Sequence, residues 1–186
     1  MAARLLPLTP DDFHRLYGNA KPAYEYWHGA AIQKSMPTLL HAIVQQIVML
    51  LLERAGWNAA PEVRLKIVPD AEPVPDIIAV RGRFKGRYPT TAPDLCIEIL
   101  SPGDTLAKAL EKAYAYISWG SHYAWIIDPE KRTAWTISRD SEHRPIWIAP
   151  DGALHAQDTS IDLQSLFAEV DRKLEDAEGR SNEGVR

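Results

Sequence analysis

The chain has 186 residues, enough for one domain with a real hydrophobic core; 46% of them are apolar and 25% charged, an ordinary globular balance. The formal net charge of −4 argues against a sequence-blind nucleic-acid coat, which would be basic, but not against an enzyme whose site is built from carboxylates. Six Trp and seven Tyr are a generous aromatic supply, and the single cysteine excludes an internal disulfide and fits a reducing cytoplasm.

The N-terminal segment Met1 to Leu8 is too short to combine a cationic and an apolar signal region. Thr9-Pro10-Asp11-Asp12, followed by Phe13 and Leu16, predicts a short capped helix. Tyr24 to Ile32 predicts two short strands around a turn at Gly29. Pro37-Thr38 opens a helix running to about Arg54, with Leu40, Ile43, Val44, Ile47, Leu50 and Leu51 at helical spacing and Gly56 placed to stop it. Its greasy stretch, Ile43 to Leu52, is broken by Gln45 and Gln46 and falls far below the roughly 20 apolar residues of a bilayer span, so no membrane partner is expected.

Glu62 to Val68 alternates, with Val63, Leu65 and Ile67 on one side, and predicts a strand. Asp70 to Pro75 reads as a Pro-rich turn. Asp76 to Val80 and Asp94 to Leu100 read as buried strands, separated by the loop Arg81 to Tyr88. A helix from Leu106 to Trp119 ends near Gly120, Tyr123 to Asp128 is a further buried strand, and Thr133 to Ser138 with Pro145 to Ala149 forms a hairpin. From about residue 170 the chain turns charged and reads as a frayed tail, so residues 1–169 form one domain and 170–186 its tail. Helix, strands, helix, strand in this order predicts one mixed sheet with helices on its faces.

Asp76 begins one strand and Glu98 lies inside the next, so hairpin pairing would set two carboxylates side by side, an oxygen-donor pair suited to Mg²⁺. Asp76 can also be read as the end of a Pro-rich turn. Glu98 sits among Leu95, Cys96, Ile97, Ile99 and Leu100, where an ionised carboxylate is costly unless a metal or a cationic side chain pairs with it. Glu25 is a candidate third carboxylate or a strand-edge surface charge. His41 could touch the site or a phosphate, or be structural. Arg81, Arg83, Lys85 and Arg87, with Phe84 and Tyr88, form the basic cluster of the chain, either a nucleic-acid grip or a solvated hairpin tip. Cys96 lies in a buried run and reads as an inert core thiol.

Val74 to Val80 and Ala92 to Pro102, with Lys112, Tyr116, Gly120, Tyr123-Ala124-Trp125 and Asp128-Pro129 downstream, resemble the Uma-type restriction endonuclease family of the PD-(D/E)XK nuclease superfamily. The resemblance spans about residues 10 to 168 and is most specific between Pro75 and Pro102. It implies a restriction-endonuclease-like α/β fold, with a mixed sheet flanked by helices, and hydrolysis of phosphodiester bonds in nucleic acid, chiefly DNA. It assigns Asp76 and Glu98 to the paired carboxylates, with the Ile99 carbonyl as a further ligand to Mg²⁺ or Mn²⁺. The superfamily lysine would stand at position 100, where this chain has Leu100. The resemblance gives its role to Lys112, which lies on the flank of the apolar stripe of its helix. The departure at Leu100 keeps a catalytically inactive nucleic-acid-binding module as the alternative. A homodimer is expected because Trp135, Ile137 and Trp147 leave the late hairpin apolar on both faces.

Overall fold

The computed structural model describes residues 7–67, 70–86, 89–141 and 144–183. A short helix, α1 (Pro10–Tyr17), is capped by the Thr9 side chain and packs Phe13 against the strand β1 (Tyr24–Trp27). Gly29, at φ +83°, turns β1 into β2 (Ala30–Gln33). α2 (Leu39–Arg54) is capped by Thr38 and carries Ile43, Val44, Ile47, Val48 and Leu52 into the core.

The main sheet has six strands in the order β3-β5-β6-β7-β8-β9: Asn58–Pro61, Ile77–Val80, Leu95–Ile99, Tyr123–Asp128, Thr133–Ser138 and Ile146–Ile148. Every neighbouring pair is antiparallel except β6 and β7, which run parallel because α3 (Leu106–Trp119) crosses between them. One face packs on α2 and on α4 (Leu163–Glu183), burying Ile77, Ala79, Leu95, Ile97, Trp125 and Ile127. The other packs on α3, burying Ile78, Cys96, Ala124, Ile126 and Ile137 against Ala109, Ala113 and Tyr116. The sheet is thus mixed and covered on both faces, the α/β class expected from the order of elements.

Three expectations need correction. Residues 62–67 form no strand. Glu62 adopts φ +51°, which turns the chain out of β3, and only Ile67 bridges, to Ala71. The Pro-rich turn contains a two-residue strand, β4 (Ala71–Glu72), because its backbone pairs with Trp27 and Tyr26 and completes a small sheet of order β2-β1-β4. The segment from residue 170 continues α4 to Glu183, since Val170 is buried and Leu174 packs against the α2 face. Between β9 and α4 the chain forms a hairpin not anticipated from the sequence, β10 (Ala153–Ala156) and β11 (Thr159–Asp162), which drops Leu154, Ala156 and Ile161 into the same core. Among the described residues no helix is long and apolar enough to cross a membrane.

Candidate active site

The β5–β6 register sets the geometry of the two carboxylates. Ile77 faces Ile97 and Ile78 faces Cys96, so one step back along β5 brings Asp76 opposite Glu98. Opposed residues of an antiparallel pair share a face, and alternation with Ile78 and Cys96 makes it the α3 face. Both carboxylates are buried, at 4% and 7% exposure. Asp76 is no turn cap. Its Oδ2 accepts the Ile99 N–H at 2.7 Å, its Oδ1 accepts from Lys34 Nζ at 2.9 Å, and its own carbonyl is held by the Gln45 amide.

Glu98 is bound on both oxygens. Lys112 Nζ donates to Oε2 at 2.6 Å and the Tyr116 hydroxyl to Oε1 at 2.5 Å. The helical period explains the pair: Lys112 and Tyr116 are four residues apart on α3 and stack on one face, one turn apart. Burial pushes the Glu98 carboxyl up to about 7; the Lys112 ammonium opposes this, while Asp76 and Glu25 add to it. Burial works to lower the Lys112 pKa, but Glu98 and Glu25 outweigh it and the ammonium is held well above its ordinary value. Burial, and then the Glu98 and Glu25 charges, keep the Tyr116 phenol protonated.

Glu25 belongs to this cluster and is not a surface charge. It is 5% exposed, and its Oε1 meets Lys112 Nζ at 2.8 Å and the Val74 N–H at 2.8 Å, while Oε2 accepts from Trp27 Nε1. His41, in the first turn of α2, is buried. Its Nδ1 lies 2.9 Å from Ser101 Oγ, and its Nε2 has no hydrogen-bond partner and stands 3.7 Å from Asp76 Oδ1. Ser101 in turn belongs to a tight turn closed by Asp104, whose Oδ2 accepts the Ser101 N–H and whose Oδ1 accepts the Ser35 hydroxyl. Apart from Trp27, Tyr116 and Gln45, these side chains line a cavity of about 150 Å³, together with Lys34 and Lys108.

Leu100 packs at the edge of the α3-side cluster, so the ammonium that a lysine there would supply arrives from α3 instead. The described residues of the basic loop, 81–86, do not line the cavity. The loop follows β5 at Val80, whereas Asp76 precedes the strand, so it lies at the other end of the hairpin. Arg81 is committed elsewhere. Its guanidinium stacks over Trp57, donates to the Ala55 carbonyl and Thr159, and pairs with Asp158, fastening β5 to the β10–β11 hairpin. Arg83 and Lys85 are exposed there; Arg87 lies outside the described residues. Cys96 is a core thiol, pushed up by burial and close to Ser121 Oγ.

Lys34 is the site residue that sequence reasoning missed. It sits just past β2, far in sequence from the motif strands, and nothing in its neighbours marks it; only docking of the β1–β2 hairpin brings it to Asp76. Tyr116 was visible as an apolar-stripe residue of its helix and as one of the positions carrying the family resemblance, with no sign of its hydrogen bond to Glu98.

The arrangement suits a divalent cation in its donor chemistry: two buried carboxylates side by side, with an unpartnered imidazole nitrogen beside one of them. Among the described residues no three His, Cys, Asp or Glu side chains form a ready-made metal cluster. A bound ion would therefore take its remaining ligands from backbone, water or substrate, as Mg²⁺ commonly does.

The sequence matches the family Uma2, described as "Putative restriction endonuclease", over residues 10–174. A solved structure described as a "putative nuclease belonging to DUF820 from Anabaena variabilis ATCC 29413" superposes with a TM-score of 0.76 at 25% identity, covering 88% of this chain and 99% of the other. No curated protein shows a significant match.

Proposed function

From the premise that the chain belongs to the Uma2 family, we propose that it is a Mg²⁺- or Mn²⁺-dependent nuclease hydrolysing phosphodiester bonds, with DNA as its substrate. The observation that carries this reading is the placement of Asp76 opposite Glu98 on one buried face, with Lys112 on Glu98. Asp76 and Glu98 would hold the ion, aided by the Ile99 carbonyl. When bound, the ion supplies Lewis-acid polarisation of a phosphate oxygen and acidifies water.

The protein's own groups do the rest. Glu25 and Glu98 hold the Lys112 ammonium, leaving one of its three N–H donors to orient an attacking water or to offset charge as the bond breaks. Tyr116 fixes the second Glu98 oxygen, so the carboxylate keeps its orientation. Ser101 fixes the His41 ring, so Nε2 can meet an ion or a phosphate without searching. The Ile99 N–H locks Asp76 onto the neighbouring strand.

One observation favours the second reading, an inactive binding module. Asp76 and Glu98 are already neutralised by Lys34 and Lys112, which a metal would have to disturb. Incubating plasmid with the protein in millimolar Mn²⁺ or Mg²⁺ separates the two. Cutting that is lost in Asp76→Asn and Glu98→Gln protein is the expected result. Cutting that persists in both variants, or none in wild type, overturns the nuclease reading.

A further inference from the structure

Lys34 is a partly buried cation, its side chain 14% exposed, that the mechanism above does not use. Its ammonium has three N–H donors. Two are committed, to the Val74 carbonyl and to Asp76 Oδ1, both at 2.9 Å. Among the described residues no third acceptor lies in range, the Glu62 carboxylate standing at 3.9 Å. Lys112 is in the same condition, with two donors on Glu25 and Glu98. Both side chains line the same cavity, from different elements. The two ammonium groups feel each other's charge across that space.

Each ammonium is already paired with a carboxylate, so what the cavity offers a further anion is the spare N–H donor of each lysine. The charges agree. With Glu98 ionised, the four carboxylates of the lining (Glu25, Asp76, Glu98 and Asp104) against its three ammonium groups (Lys34, Lys108 and Lys112) leave one net negative charge. A divalent ion turns this to one positive, and one phosphodiester closes it at zero.

We propose that Lys34 is a second substrate-contacting lysine, and that with Lys112 it grips the two non-bridging oxygens of a substrate phosphodiester. The pairing rests on the nuclease reading above. It makes Lys34 a point-charge hydrogen-bond donor to phosphate in the same cavity as Lys112, a role in which lysine is common. The competing view is that Lys34 merely neutralises Asp76. In that case its removal would change stability and leave nucleic-acid affinity alone.

Binding of a short fluorescein-labelled DNA, single-stranded and duplex, is measured by anisotropy in millimolar Ca²⁺ at several salt concentrations. Lys34→Gln keeps donors for Val74 and Asp76 but no charge; Lys34→Arg keeps the charge. The glutamine variant is expected to bind at least about tenfold more weakly, with a salt slope lower by about one, while the arginine variant stays within a few-fold of wild type. Wild-type affinity in Lys34→Gln overturns the inference and leaves the nuclease reading to the plasmid assay. Wild-type protein that neither binds nor cuts DNA removes both. If Lys34→Gln fails to fold, the ¹⁵N-lysine ammonium signal of Lys34 is followed in wild type as DNA is added. The signal is expected to shift, and an unmoved signal overturns the inference.

Discussion

Glu98 and Tyr116 show how a buried carboxylate is tolerated. Both Glu98 oxygens are hydrogen-bonded, and burial still favours the protonated acid, up to about 7. The folded state therefore holds a proton that the unfolded chain releases near its ordinary value of 4.5. Stability from this group is complete below that value and falls as pH rises through about 7, by at most about 3 kcal/mol in metal-free protein. Urea titrations in EDTA at stepped pH should show that fall, and Glu98→Gln should flatten it; a wild-type profile as flat as the variant's contradicts it. Tyr116→Phe leaves Glu98 Oε1 without its donor and should cost about 1–3 kcal/mol, read by urea denaturation at pH 7.

At the scale of elements, α3 is the part that makes the site. It bridges the parallel pair β6–β7, packs Ala109, Ala113 and Tyr116 on the sheet, and delivers Lys112 and Tyr116 to Glu98. Its end is set by Gly120, at φ +138°, where an added Cβ would meet the Ala92 Cβ at 3.2 Å. Gly120→Ala should cost about 1–2 kcal/mol through that backbone conformation, measured by thermal melting. The β10–β11 hairpin is the other structural device. Leu154→Ala should cost about 2–5 kcal/mol by opening a cavity over the α2 face, although Leu154 is remote from the cavity that holds the carboxylates.

For the whole molecule, two expectations can be measured directly. A ligand that binds only the folded state raises the melting temperature, so millimolar Mn²⁺ should stabilise wild type and not Asp76→Ala; an equal shift in both would remove the metal assignment. The second is a homodimer. The chain segment 151–167 covers the β8 face that carries Ala134, which removes part of the apolar surface that suggested a partner. Ile146 and Trp147 on the edge strand β9 remain half exposed, at 51% and 56%. Light scattering at micromolar concentration should give a dimer mass that Trp147→Arg lowers to the monomer; a monomeric wild type discards the dimer.

The nuclease-type α/β fold and most of its elements could be read from the chain because their causes are local. Thr9, Thr38 and the helical spacing of α2 and α3 declare their helices within a few residues, and the apolar runs after Asp76 and Asp94 declare buried strands. The Asp76–Glu98 pair was legible for the same reason, since hairpin register follows from one short stretch. What the sequence could not reveal depends on contacts between distant segments. Lys34 reaches Asp76 only because the small β1–β2 sheet docks beside the main one, and Glu25 is buried by that same docking. Arg81 looked like a free cation until Trp57 and the β10–β11 hairpin claimed it. Side-chain chemistry is carried by the residue, but its partner is chosen by packing between segments far apart in the chain, and packing is a property of the tertiary structure alone.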